Sequence, residues 1–165
     1  MDWQEKQRRF NVLIINGNQA FEKEDYDIAL KIFLEAIKLN PSSKPQIIPK
    51  ILKCYRKKIT YMKNKEDYDG IINIVHEMEK LDSSLSNMKG IDYKNLGIAY
   101  FHKNQYDKAK ECFDNALRLK PDIKEIDIYL NKIKTEEVYN KFQELNKKEM
   151  DKKKKSFWRK NGRIY

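Results

Sequence analysis

The apolar residues near the N-terminus follow a helical period on both sides of a short polar break. The first set, spaced three or four residues apart, fits one face of a helix and consists of Phe10, Leu13, Ile14, Gly17 and Phe21. After the polar residues 23–27 comes a second face of the same kind, made by Ala29, Phe33, Ala36 and Ile37. The pattern predicts two antiparallel helices, ended by a proline that cannot continue the second one.

The same pattern returns further along the chain. Residues 17–41 and 97–121 align without a gap. The identical positions are mostly small, aromatic or helix-ending: Gly17/Gly97, Tyr26/Tyr106, Ala29/Ala109, Phe33/Phe113, Ala36/Ala116 and Pro41/Pro121. Most of the charged residues between them differ, although Lys23/Lys103 and Asp27/Asp107 are identical. Identity at packing positions with variation at surface positions indicates a repeated structural unit.

Each copy resembles the tetratricopeptide repeat, a helix–turn–helix of about 34 residues. That family has Gly in its first helix, Tyr near its turn, and then Ala, Phe, Ala and Pro. The register places one repeat at 10–43 and another at 90–123, where "YKNLGIAY" (93–100) is a close match to the first helix. The resemblance implies an all-α fold in which three helix–turn–helix units stack into a solenoid.

The residues between these repeats are expected to hold the third unit in degenerate form. "KEDYD" occurs at 23–27 and again at 65–69, which places the unit at 52–85 with Ile59 at the glycine position. Its first helix is predicted to begin early, near Gln46. Three prolines are expected to mark the joint before it: Pro41, Pro45 and Pro49.

The two ends of the repeat array are predicted to differ from the repeats. Residues 1–9 are a lead-in whose Trp3 packs, together with Phe10, on the first repeat. Residues 124–145 are a capping helix, because a terminal unit needs a cover for its apolar face. The stripe expected to form that cover is Ile126, Leu130, Ile133, Val138, Phe142 and Leu145. The repeat domain then spans 10–145.

The formal charge of +10 is concentrated near the C-terminus. Residues 131–165 hold 12 Lys and Arg against 5 Asp and Glu, whereas residues 1–130 hold 23 against 20. Residues 146–165 are therefore predicted to be a solvated or frayed basic tail. Its four lysines and aromatic pair would suit nucleic-acid phosphates and bases, an anionic membrane surface or a nuclear-import signal. The tail residues are Lys152, Lys153, Lys154, Lys155, Phe157, Trp158, Arg159, Lys160 and Arg163.

The sequence offers no catalytic constellation. His76 and His102 fall in different repeats, and the glycines are scattered singly, so no phosphate loop is present. Cys54 and Cys112 lack metal-ligand spacing and are too few for a disulfide framework. No enzyme activity, metal or cofactor is expected. No segment approaches the roughly 20 apolar residues of a membrane span, and a reduced cytosolic setting is predicted, with the nucleus as the alternative.

The resemblance also implies a binding surface. In this family peptides lie along the concave surface lined by the first helix of each unit. Carried onto this chain, those positions are Asn11, Ile14, Asn18, Phe21, Lys53, Arg56, Lys57, Lys63, Ile91, Lys94, Asn95, Ile98, Phe101 and His102. This set is basic in its middle and apolar at both flanks. It predicts a protein adaptor that binds an acidic peptide or helix with apolar anchors, unless the lysines merely solubilise an exposed helix.

Two other functions remain open at this point. Some members of the family are co-chaperones that grip an acidic chaperone tail with a two-carboxylate clamp of Lys, Arg and Asn. The corresponding positions here are Ile14, Asn18, Lys57, Ile91 and Asn95, of which only Asn18 matches. A co-chaperone would therefore lack a complete clamp. The second alternative is a nucleic-acid- or ribonucleoprotein-associated factor that acts through the basic tail.

Overall fold

The computed structural model describes residues 2–162, and the side chains of all of these except Lys160 and Asn161. Over that range the chain forms α-helices joined by turns, one 3₁₀ turn (Pro41–Ser43), and no β-strand. The α-helices are α1 (Trp3–Glu22), α2 (Tyr26–Leu39), α3 (Lys44–Asn64), α4 (Tyr68–Leu81), α5 (Gly90–His102), α6 (Tyr106–Leu119) and α7 (Ile126–Asn161).

The chain divides into two compact units, the first ending at Ile123 and the second beginning at Lys124. In the first unit each helix packs against the next one along the chain, from α1 on α2 through to α5 on α6. Packing between sequential neighbours is typical of a helical-repeat solenoid. The predicted all-α repeat fold is confirmed. The second unit consists of α7 and the residues around it.

Glycine and phenylalanine determine the spacing of the first and third helix pairs. A Cβ atom added to Gly17 would lie 2.6 Å from Cε1 of Phe33, and one added to Gly97 would lie 2.6 Å from Cε1 of Phe113. Both phenyl rings are at most 1% exposed. No larger residue fits at either glycine unless a closely packed ring moves.

The middle helix pair reverses this arrangement. Ile59 stands at the glycine position of α3 and Val75 stands at the phenylalanine position of α4, and both side chains are buried. The larger residue has moved from the second helix of the pair to the first. Because cores tolerate changes that conserve total volume, the degenerate unit keeps a packed helix pair without the family's two characteristic residues.

The turns within the three helix pairs share one unusual backbone position. Glu24, Glu66 and Asn104 have φ angles of 63°, 56° and 57°, in the left-handed region. Each lies two residues before the tyrosine that begins the second helix of its pair. This conformation is costly for residues other than Gly and, to a lesser degree, Asn. Its recurrence relates the middle helix pair to the other two.

Of the predictions for the elements before α4, the early start of α3 agrees with the structure, and those for Pro49 and for residues 1–9 do not. α3 begins at Lys44, so the early start predicted near Gln46 is confirmed. Pro49 does not mark a joint, because α3 runs through it. Residues 1–9 are not a separate lead-in, since α1 is continuous from Trp3, and the indole of Trp3 is 76% exposed instead of packed on the first repeat.

The boundary predicted at 145/146 is also wrong. α7 is one helix from Ile126 to Asn161, so the predicted cap and most of the predicted tail belong to the same element. Ile126 and Ile133 are buried, but three later members of the predicted covering stripe are exposed: Val138 (64%), Phe142 (58%) and Leu145 (53%). The stripe therefore does not act as a buried cover along its whole length.

Replacing Gly97 by Ala tests the contact between α5 and α6. Alanine has a helix propensity about 1 kcal/mol better than that of glycine, but overpacking against the Phe113 ring should cost about 2–3 kcal/mol. Gly97→Ala is therefore expected to lower the free energy of unfolding by roughly 1–2 kcal/mol in a urea titration. In a Phe113→Leu background the same change should be neutral or stabilising. A stabilising effect in the wild-type background would contradict the contact.

Candidate partner-binding groove

A mainly apolar cavity of about 410 Å³ is lined by residues of α1 and α3. Its lining, termed here the α1/α3 cavity, is Phe10, Asn11, Ile14, Ile15, Gln46, Ile47 and Lys50. Asn11 and Ile14 were predicted to belong to a groove. Gln46, Ile47 and Lys50 of α3 lie outside the predicted groove, because the groove positions are counted from the repeat boundary at residue 52 and not from the start of the helix. The early start of α3 was the signal that could have placed them there.

A row of lysines on α3 continues from this cavity. Lys50, Lys53 and Lys57 are three and four residues apart and so share one face of the helix. The Lys50 Nζ donates to Oδ1 of Asn18 at 3.0 Å. The Lys53 Nζ lies 4.7 Å from the centre of the Phe21 ring, a cation–π contact. Lys50 joins the groove residues predicted around it, and it was missed by sequence reasoning.

Arg56 does not belong to this accessible row. Its Nε and Nη2 donate to both carboxylate oxygens of Asp92, at 2.9 and 2.7 Å, and Nη2 also donates to the backbone oxygen of Asn87 at 2.9 Å. Asp92 is fully buried, and the Arg56 side chain is 22% exposed. The prediction of Arg56 as a partner-binding residue is wrong, because its guanidinium is committed to an internal bidentate ion pair.

Two buried carboxylates organise the loop between α4 and α5. Asp92 accepts a hydrogen bond from the backbone N–H of Lys89 at 2.9 Å, in addition to its bonds from Arg56. Asp82, which is 3% exposed, accepts from the backbone N–H of Asn87 at 2.7 Å and from the Ser84 hydroxyl at 3.0 Å. Arg56 thus ties α3 to a loop that already has its own internal hydrogen bonds.

Asp92→Asn is expected to destabilise the chain by about 3 kcal/mol, because removing one partner leaves a largely buried guanidinium without its counter-charge. Urea unfolding followed by circular dichroism measures this change. The matched control is Asp69→Asn, which removes an exposed ion pair to Lys103 and should cost at most about 0.5 kcal/mol. Equal losses of stability in the two variants would show that the Arg56–Asp92 pair stabilises the chain no more than an exposed ion pair does.

Three predicted groove residues on α5 are not on the accessible surface. Lys94, Asn95 and Ile98 are 9%, 9% and 8% exposed, and the helix is buried on every side from residue 92 to residue 100. Their prediction as surface residues is wrong, because helical periodicity assigns a face to a side chain but does not say what covers that face. Ile91, at 39% exposed, remains accessible.

The other predicted residues near the end of α5 pack around the turns. The imidazole of His102 stacks on the Tyr68 ring, with centroids 4.2 Å apart and planes 6° apart. The Phe101 ring lies 5.7 Å from the Tyr106 ring. Lys63 is exposed near the end of α3. None of these three predicted residues lines the α1/α3 cavity.

A larger cavity of about 650 Å³ lies beside the turns of the first two helix pairs. Its two lysines are already engaged: Lys58 forms an ion pair with Asp27, and the Lys65 Nζ lies 5.8 Å from the centre of the Tyr61 ring. A ligand would have to compete with these contacts. The α1/α3 cavity, with its apolar lining and the lysine row beyond it, is the better candidate.

His76 makes two side-chain contacts within the fold. Its Nδ1 lies 2.9 Å from Glu79 Oε2, and its Nε2 lies 3.0 Å from the Tyr100 hydroxyl. Within residues 2–162, no group of three or more His, Cys, Asp and Glu side chains is arranged to hold a metal ion. None of the helices described is long and apolar enough to cross a membrane. That the chain is not an enzyme remains a prediction.

The basic tail is helical to Asn161 and is not frayed there. Phe157 and Trp158 are 59% and 69% exposed, with their rings edge to face at 6.0 Å. The shallow surface near them is lined by Lys152, Lys155, Ser156 and Arg159. Arg163 and the side chain of Lys160 lie outside the described residues. Binding of nucleic acid by this segment remains a prediction.

Both cysteines are buried thiols. Burial raises the pKa of Cys54 from its ordinary value of 9.0 to about 11, and that of Cys112 to about 12. The reactive species is the thiolate, so both groups are chemically inert near neutral pH. A folded-state pKa above the unfolded value stabilises the folded chain fully below pH 9, and this contribution is lost as the pH rises towards 11 and 12.

Iodoacetamide is therefore expected to leave Cys54 and Cys112 unmodified at pH 8 under conditions that fully modify the chain in guanidinium chloride. Mass spectrometry of the intact chain measures the extent of modification. Raising the pH from 8 to 10.5 should destabilise the wild type more than a Cys54→Ala, Cys112→Ala chain. Rapid modification of either thiol in the folded chain at pH 8 would contradict the burial described.

The comparison with protein families agrees with the third helix pair. The family model described as tetratricopeptide repeat matches residues 92–123. Twenty-six chains of solved structures match. One is described as the first tetratricopeptide repeat of Spaghetti (RPAP3) bound to the HSP90 peptide SRMEEVD. It has 18% sequence identity and a TM-score of 0.48, and the match covers 79% of this chain and 94% of that one. No curated protein matches.

The fold of the first unit is thus that of a helical-repeat protein built from antiparallel helix pairs. Residues 92–123, which contain most of α5 and all of α6, are similar to the tetratricopeptide repeat. The resemblance inferred from the Gly, Tyr, Ala, Phe, Ala and Pro pattern is confirmed by that match.

Proposed function

We propose that the chain is a non-catalytic adaptor that binds a segment of another protein in the groove formed by α1 and α3. The segment is acidic and carries at least one apolar side chain as an anchor. The observation that carries this proposal is the α1/α3 cavity, an apolar depression with lysines at one end.

The anchor is expected to enter beside Ile14 and Ile15. Ile15 is 55% exposed and lines the cavity, so its side chain is accessible to an apolar anchor. Buried anchors of this kind supply most of the affinity at protein interfaces. The apolar lining therefore favours a protein segment over a polyanion such as nucleic acid.

The acidic character of the segment follows from the lysine row. Lys53 and Lys57 are exposed on the face of α3 that also carries Lys50, and Arg56 is already neutralised by Asp92. Carboxylates of a bound segment would complement this row, which increases association rate and specificity more than raw affinity. A co-chaperone role would have to use this row, since Ile14 and Ile91 cannot bind a carboxylate at the clamp positions.

Selection of peptides from a phage-displayed random library against the full chain tests the proposal. The selected peptides are expected to combine two or more Asp or Glu with a nearby apolar residue. Ile15→Glu and Lys57→Glu should each weaken the best peptide at least tenfold in fluorescence polarisation, a loss of about 1.4 kcal/mol. Moderate salt should weaken the binding without abolishing it.

The matched controls are Ile28→Glu and Lys31→Glu on α2. Ile28 is as exposed as Ile15, at 55%, and Lys31 is exposed like Lys57. Both controls should bind the selected peptides as the wild type does. Peptides that lack acidic residues, or that bind the groove variants and the controls equally, would refute the proposed groove.

A further inference from the structure

α7 carries a row of large apolar side chains that nothing covers within the described part of the chain. Val138, Tyr139, Phe142 and Leu145 are 64%, 57%, 58% and 53% exposed. Val138, Phe142 and Leu145 are four and three residues apart and lie on one side of the helix, and Tyr139 borders them three residues before Phe142; the four residues are here termed the α7 stripe. Single exposed apolar residues are ordinary, whereas a contiguous row usually marks an interaction surface.

One edge of the α7 stripe is basic. Lys134, Lys141 and Lys148 follow each other at intervals of seven residues, so they form a line along one side of the apolar row. All three side chains are exposed, and none of them forms an ion pair or hydrogen bond with another described residue. The other edge is uncharged over a shorter stretch, through Tyr139, Gln143 and Asn146.

We propose that the α7 stripe docks an amphipathic helix of a partner protein, and that this helix carries acidic residues along one edge at seven-residue intervals. The partner's apolar side chains pack between Val138, Phe142 and Leu145, as in two-stranded helix packing. Its carboxylates face the line of Lys134, Lys141 and Lys148. This proposal does not depend on the α1/α3 cavity.

A second copy of this chain is a poorer occupant. When two α7 helices pack antiparallel around Phe142, the lysine line of one copy meets the lysine line of the other. When they pack in parallel, Lys148 of one copy faces Lys153 of the other, in the positions that normally hold opposite charges. Like charges in these positions disfavour the pairing.

An anionic membrane surface is also a poorer occupant. Helices that lie in a membrane interface are rich in Lys and Arg around the apolar face, whereas here the edge through Tyr139 and Asn146 has no basic residue between Lys132 and Lys153. Glu149 follows Leu145 along the axis of the stripe, at the four-residue step that links Val138 to Phe142. That carboxylate would face the anionic headgroups.

The experiment measures binding of the full chain to a fluorescent synthetic helix of three heptads. This peptide has Leu at its core positions and Glu along one edge, and the comparison peptide has Lys in place of each Glu. The Glu peptide is expected to bind at least tenfold more tightly than the Lys peptide. Phe142→Glu should abolish binding, with an unchanged circular dichroism spectrum because Phe142 is exposed.

Two charge-reversed chains isolate the role of the basic edge. Lys141→Glu with Lys148→Glu should bind the Glu peptide at least tenfold more weakly. Lys147→Glu with Lys154→Glu, on the opposite side of α7 and with the same change in net charge, should bind it as the wild type does. Equal binding of the two peptides, or equal loss in the two charge-reversed chains, overturns the proposal.

Two further measurements address the competing occupants. Phe142-dependent binding to vesicles of phosphatidylserine and phosphatidylcholine, with no peptide binding, would assign the stripe to a membrane and overturn the proposal. A dimer in sedimentation velocity that Phe142→Glu dissociates would assign it to a second copy, with the same consequence.

Discussion

The close contact between a phenyl ring on one helix and a glycine, which has no Cβ atom, on the other determines the geometry of the repeat unit. In the first and third helix pairs, Phe33 and Phe113 occupy the space that a side chain at Gly17 or Gly97 would need. The middle pair solves the same problem by placing the larger side chain, Ile59, on the opposite helix. Because each pair keeps its spacing, α2 can pack on α3 and α4 on α5 in a regular series, and α1 and α3 together line a cavity.

These packing rules explain why the fold was largely predictable from the sequence. Small and aromatic residues at fixed intervals report local contacts within one helix pair, so the alignment of residues 17–41 with residues 97–121 was enough to find two of the three units. The turns were equally visible, since "KEDYD" occurs in two of them. The ends of α1, α3 and α7 were less predictable. A helix continues past a repeat boundary wherever the residues permit it, as they do before Phe10 and after Leu145.

The candidate site was less predictable, because family positions identify a surface and not the state of each side chain on it. Arg56 occupies a groove position, but its carboxylate partner lies 36 residues away in α5, and no local pattern indicates that pairing. Lys94 and Asn95 are polar and were read as accessible, although both are buried. Lys50 was missed for the opposite reason, since it precedes the repeat boundary that the pattern suggested and yet shares a face of α3 with Lys53 and Lys57.

The α1/α3 cavity and the α7 stripe combine the same two kinds of side chain in different geometries. At the cavity, isoleucines border a depression that admits a single anchor, and the lysines continue along the helix beyond it. On α7 the apolar residues form a raised row with the lysines beside it, which suits a helix lying parallel to the row. In both proposals apolar contact would supply most of the affinity, while the lysines would select against basic partners. Net basic charge alone would make the chain a general polyanion binder. Both proposals differ from this because they place apolar residues next to the lysines, an arrangement that suits a protein segment.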